Sequence, residues 1–198
     1  MMDSINYLLS IENRGIKMDR NNDVGEIKGG PDCGHIGEFD RLKVAIVTIS
    51  TTRSDSTDKS GKIIAEMIES AGHENTVQKV VKDDYEEINN YVKNLVNRED
   101  IDLIITTGGT GATPDDVTIE AVSPLIEKEL PGFGELFRQL SYEEIGPLSI
   151  ASRSMAGIAG YTPIFCLPGS SNAVKLGVGK IILPVCGHTV EQARRGRK

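Results

Sequence analysis

No stretch of this 198-residue chain carries the roughly 18–20 consecutive apolar residues that a membrane-crossing helix needs. The apolar segment 5–11 is too short for a secretory core, and no small-residue cleavage site follows it; no targeting peptide is expected, and the expected compartment is the cytoplasm. Basic charge is scarce as well. The 22 Lys and Arg stand against 29 Asp and Glu, a net charge of −7, which argues against nucleic acid as the main partner because a phosphate backbone demands a basic footprint. A small anionic ligand remains compatible, since a local site can hold one against the global field. Cysteine is sparse and odd in number: Cys33, Cys166 and Cys186 have no CxxC or metal-ligand spacing, which fits reduced thiols rather than a disulfide framework. Cys166 lies in an apolar run and reads as a core residue. His73 and His188 have no nucleophile partner in a Ser-His-Asp order, so hydrolase chemistry finds no support.

What is present is organised in two parts. Residues 1–40 are rich in Asn, Asp, Gly and Lys with little periodicity, and are expected to form a flexible extension with at most a short helix near 4–10. Cys33 and His35 make only two ligands and no metal site. Residues 41–198 are expected to form a single domain. The β-branched run 42–49 suits a strand covered on both faces. Ile63, Ile64, Met67, Ile68 and Ala71 form one face of a helix that Gly72 is placed to end. A strand at 76–81 and a helix bearing Ile88, Tyr91, Val92, Leu95 and Val96 follow, then a strand at 101–106. This alternation predicts an α/β fold with a mostly parallel sheet and helices on both faces. A strand at 162–167 and a helix at 172–182 continue it, and the basic residues 194–198 read as a solvated terminus.

The most informative stretch is Thr106-Thr107-Gly108-Gly109-Thr110-Gly111, directly after a predicted strand. Its glycines permit positive φ and close approach to a ligand, its successive N–H groups can form an anion nest, and the Thr107 and Thr110 hydroxyls add donors. Open α/β sheets bind ligands at this edge. A tight turn without a ligand would look the same, and the loop matches neither the P-loop nor the dinucleotide fingerprint.

Further motifs follow in order: Asp116-Val117-Thr118, Pro131-Gly132-Phe133-Gly134-Glu135, Ser141-Tyr142-Glu143-Glu144-Ile145-Gly146, Ser152-Arg153-Ser154-Met155-Ala156-Gly157 and Leu167-Pro168-Gly169-Ser170. Together with the glycine loop, over about residues 42–187, they resemble the MoaB/Mog family of molybdopterin-binding proteins, and the MoaB branch in particular. The resemblance implies a Rossmann-like sheet flanked by helices. It also implies molybdopterin adenylylation with Mg2+ and ATP, releasing pyrophosphate and supplying a molybdenum-insertion enzyme. It further implies homo-oligomers, with a hexamer of paired trimers expected ahead of a trimer.

The family's site residues carry over position by position. Asp83 and Asp116 match catalytic aspartates and would hold Mg2+, which takes carboxylates together with substrate phosphates. Thr107, Gly108, Gly109, Thr110 and Gly111 would bind substrate, as would Ser152 and Arg153, the latter as a bidentate phosphate fork. Pro168, Gly169 and Ser170 open a helix and offer a second anion site; the family usually has proline where Ser171 stands. Plain structural uses stay open beside these. Asp83 with Glu86 forms a D-x-x-E capping pattern, Asp116 could start a helix after Pro114, and Asp58 in Asp58-Lys59-Ser60-Gly61 could bind ligand or cap. Arg153 could pair with an acidic neighbour such as Glu135.

Overall fold

The computed structural model describes residues 41–195. The extension 1–40, its short helix, Cys33 and His35 lie outside the described residues, as do 196–198. The first strand, β1 (Lys43–Ile49), explains why both sheet faces need helices. Val44 and Ile46 join one apolar cluster with Ile64 and Ile68 of α1 (Lys59–Ser70), while Ala45 and Val47 join a second with Ile88 and Val92 of α2 (Tyr85–Val96). A strand apolar on both faces from Val44 to Val47 cannot leave either face in water, so helices pack on both. β2 (Glu74–Val81) and β3 (Leu103–Thr107) flank β1 in parallel. Gly72, at φ +89°, turns the chain out of α1, as its position predicts.

Beyond β3 the short helix α3 (Thr118–Val122) leads to β4 (Lys128–Glu129), α4 (Pro131–Ile145), and the hairpin of β5 (Met155–Ala159) and β6 (Thr162–Leu167). Among the described residues the sheet has six strands in the order β2-β1-β3-β6-β5-β4. β6 is parallel to β3, but β5 is antiparallel to both β6 and β4. The α/β fold is therefore as expected, with a mixed rather than wholly parallel edge. β5 was hidden in the sequence because Met-Ala-Gly-Ile-Ala has one β-branched residue.

The C-terminal helix is longer than the expected 172–182. α5 (Ser171–Gly177) runs through a π turn at Val178–Ile182 into α6 (Leu183–Arg194). This Ser171–Arg194 helix is long and apolar enough to cross a membrane by length and composition alone. Its Val174, Val178, Ile182, Cys186 and Val190 instead pack into the core cluster over β1, β3 and β6. Arg194, read as part of a solvated terminus, pairs with Asp102 at 2.6 Å and donates to the Ile101 carbonyl. Cys166 is a core residue whose thiol burial pushes up to about 12.

Helix α6 is also tied to the start of β1 through His73. The His73 Nδ1 accepts a hydrogen bond from the Leu42 N–H at 3.3 Å, and Nε2 faces Cys186 Sγ at 3.6 Å. Nδ1 must be unprotonated to accept, and burial holds the His73 pKa below its ordinary 6.5. A base with a depressed folded pKa binds its proton more readily when unfolded. Its stabilisation is complete above the unfolded value and is lost as pH falls through the folded one. Chemical denaturation at pH 7 and pH 5 is expected to show a larger stability loss for the wild type than for His73→Gln. Equal losses would remove His73 as the cause.

Candidate functional site

The carboxyl ends of β1, β3 and β6 meet at one edge of the sheet, and the loops that leave them enclose a cavity of about 610 Å³. The glycine loop forms its floor. Gly108 has φ +102° and Gly109 φ +60°, both outside the range ordinary residues favour. A side chain on Gly108 would collide with the Ile49 carbonyl of β1. One on Gly109 would meet the Asp83 carboxylate oxygens at 2.7 and 2.8 Å and collide with the Thr118 hydroxyl. Bare backbone at these two positions lets the loop lie between two strands and against a carboxylate.

Asp83 and Asp116 approach the loop from different elements. Asp83 follows β2 and accepts from the Val117 N–H at 3.4 Å. It does not cap a helix: the cap of α2 is Asp84, which accepts from the Glu87 N–H at 2.9 Å, so the capping pair lies one residue later than Asp83 and Glu86. Burial pushes the Asp83 carboxyl above the usual range; the Val117 hydrogen bond pulls it back, and the negative charges of Asp116 and Asp115 push it further up. Asp116 is on the cavity wall, beside Gly111, and accepts from the Thr113 N–H and hydroxyl. It starts no helix either, since α3 begins at Thr118 with no side-chain cap.

The other expected residues divide into wall and frame. Gly108, Gly109, Thr110 and Gly111 line the cavity, as do Ser152, Pro168, Gly169 and Ser170. Ser152 Oγ is enclosed and has no hydrogen-bond partner among the described residues. Ser170 spends its hydroxyl as the cap of α5, accepting from the Ala173 N–H at 3.2 Å. Thr107 is buried and not part of the wall; it donates to the Pro168 carbonyl at 3.1 Å, joining the two loops. Asp58 is buried and caps α1 through the Gly61 N–H.

Arg153 differs most from its expected use. Its guanidinium donates to the Thr110 carbonyl (3.2 Å), the Asp116 carbonyl (3.1 Å) and both carboxylate oxygens of Glu120. The partner is Glu120, not Glu135, and the pair holds the Glu120 carboxyl below its usual range. Arg153 braces the loop 110–116 from behind. The cavity also takes wall residues that were not expected in the site: Ser50, Thr52 and Arg53 after β1, which no motif pointed to, and Ser141, Glu144 and Ile145 of α4, which lie in a motif but were assigned no role. The signal for the first three was available, because a long polar loop leaving the carboxyl end of a central parallel strand belongs to the ligand-binding edge.

Residues 45–188 match the family described as "Probable molybdopterin binding domain". The chain belongs to that family. It is 48% identical over 155 residues to molybdenum cofactor biosynthesis protein B of Bacillus cereus, covering 78% of this chain and 92% of that protein. The fold is also that of a crystal structure of a molybdenum cofactor biosynthesis protein B, with a TM-score of 0.76 at 48% identity, over 78% of this chain and 97% of the other. The tungsten cofactor synthesizing protein MoaB from Pyrococcus furiosus superposes with a TM-score of 0.71 at 39% identity, over 78% and 98% of the two chains. This family member thus places its glycine loop, Asp116 and second turn around one cavity within the matched domain, with Asp83 against Gly109 of the loop.

Proposed function

We propose that this protein acts in molybdenum- or tungsten-cofactor biosynthesis as a molybdopterin adenylyltransferase. The observation that carries the reading is the convergence of Asp83 and Asp116 on a bare glycine loop at the floor of a partly apolar cavity. A cavity of about 610 Å³ suits small-molecule substrates. In the reaction an oxygen of the terminal pterin phosphate bonds to the α-phosphorus of ATP, the bond from that phosphorus to the β-phosphate bridge breaks, and pyrophosphate leaves.

Transfer between two anions needs little covalent help from a protein but much positioning and charge compensation. The N–H groups of the loop from Gly108 to Gly111 would cradle phosphate oxygens, and Ser152, whose enclosed Oγ has no partner among the described residues, lies beside them. Asp83 and Asp116 would hold Mg2+, an ion that takes one or two carboxylates and completes its shell with substrate phosphates and water. The raised Asp83 pKa, due first to burial and then to the nearby charges of Asp116 and Asp115, fits such a place, because an added cation would relieve both. When bound, the ion supplies neutralisation of the clustered phosphate charge. Arg153 keeps the loop and Asp116 in register.

A second reading, pterin binding without turnover as a carrier, is favoured by one observation: Asp116 lines the cavity but Asp83 does not. Pure protein incubated with molybdopterin, ATP and Mg2+ is expected to yield adenylylated molybdopterin and pyrophosphate by mass spectrometry. Tight pterin binding with no such product under varied metal and nucleotide would establish the carrier instead. We also propose that the protein assembles with copies of itself, as a hexamer of paired trimers ahead of a trimer, and hands its product to a molybdenum-insertion enzyme.

A further inference from the structure

A cavity that takes phosphorylated ligands needs positive charge, and this one has little. Among the described residues its wall carries the carboxylates Asp116 and Glu144 and a single basic side chain, Arg53. Arg153, the arginine that the motifs single out, is absent from the wall and already satisfied by Thr110, Asp116 and Glu120.

Arg53, although exposed, is held in place. The loop after β1 folds onto the Ser50 side chain, whose Oγ accepts from the Thr52 and Arg53 N–H groups at 3.3 and 3.2 Å. The Arg53 Nη1 donates to Ser60 Oγ at 2.8 Å, and Ser60 donates in turn to Asp58 at 3.3 Å. Asp58 is 1% exposed and is further held by the Thr48 hydroxyl at 2.7 Å and the Gly61 N–H at 2.9 Å. Gly61 belongs to this arrangement because a Cβ there would collide with the Asp58 carboxylate. A chain of hydrogen bonds therefore leads from a buried carboxylate to the one cation on the wall. This gives the Asp58-Lys59-Ser60-Gly61 turn a use beyond capping α1.

We propose that Arg53, held through Ser60 by Asp58, binds a phosphate group of the ligand taken into this cavity. The inference rests on reading the cavity as the site of phosphorylated substrates. One guanidinium N–H is spent on Ser60, and the remaining donors have no partner among the described residues, leaving the planar fork that matches phosphate oxygens. The phosphate is that of the pterin or of the nucleotide, and binding experiments with each separate the two sources. Asp58 and Ser60 are positioning residues that set the direction of the fork.

The test is equilibrium calorimetry with molybdopterin and with Mg-ATP, each titrated alone into wild type, Arg53→Gln, Arg53→Lys and Ser60→Ala. Arg53→Gln is expected to weaken at least one of the two by about tenfold or more, the scale of a lost charge-assisted hydrogen bond. Arg53→Lys should recover part of that loss, and Ser60→Ala should show a smaller loss on the same probe. Arg53 is exposed, so its variants are expected to melt with the wild type, which separates lost binding from lost folding. Binding of both probes by Arg53→Gln within about twofold of wild type would overturn the proposal. A wild type that binds a probe but forms no adenylylated product would refute the transferase reading alone, leaving Arg53 to be decided by the affinities. A wild type that binds neither would refute both.

Discussion

Asp83→Asn is expected to melt at a higher temperature than the wild type at pH 7 while losing about a hundredfold or more of its turnover. The stability half follows from the raised Asp83 pKa. Burial is the largest cause, and the charges of Asp116 and Asp115 add to it. A carboxyl whose folded pKa lies above its unfolded value stabilises the fold below the unfolded value and loses that contribution as pH rises through the folded one. At neutral pH the ionised group therefore opposes folding, and asparagine removes the charge while keeping an oxygen to accept from the Val117 N–H. The melting difference should shrink towards zero near pH 3, where the aspartate is protonated too. The activity half follows from the proposed role of Asp83 beside Asp116 in holding Mg2+ against the substrate phosphates. Asp116→Asn should lose turnover to a similar degree without a comparable gain in stability, since its carboxylate holds Thr113 in the loop. Differential scanning calorimetry across pH, with single-turnover kinetics, checks both halves. Turnover within about twofold of wild type in Asp83→Asn would remove Asp83 from the chemistry.

The second large effect concerns assembly. Gel filtration with light scattering is expected to give the wild type a mass of three or six times the 21.5 kDa chain, and a Leu148→Glu, Ile150→Glu double variant the mass of one chain. In α4 and the turn after it, Phe133 and Phe137 are buried in the core, so part of this apolar segment is accounted for within the chain. The rest is not. Leu136, Tyr142 and Ile145 are exposed, and Leu148 and Ile150 remain 75% and 85% exposed. An apolar surface of this kind on a chain with a net charge of −7 is the basis for the proposed contact between copies. Charged residues at its two most exposed positions should prevent association while leaving the core untouched. A wild-type mass near 21.5 kDa at micromolar concentration would show that the face is not an interface between copies.

The sequence by itself determined the elements whose apolar pattern leaves one physical solution. β1 is apolar at consecutive positions and needs two covered faces; α1 and α2 each carry one apolar stripe; Gly108 and Gly109 can take a backbone that side chains would obstruct. These features placed the α/β fold, the ligand-binding edge and the glycine floor, because each depends on neighbours close in the chain. Tertiary structure alone decided what depends on distant pairs. Whether Asp83 or Asp84 caps α2 turns on a one-residue shift that a run of acidic residues does not resolve, and the shift frees Asp83 to face Gly109. Arg153 stands in a motif that suggests a phosphate fork, yet it lies within reach of Glu120 and two loop carbonyls that satisfy it first. Arg53 has no motif to announce it and reaches the wall only because Ser60 and Asp58 lie behind it in the folded chain. A hydrogen bond is made by whichever partner the fold brings within about 3 Å, and residue types alone do not contain that distance.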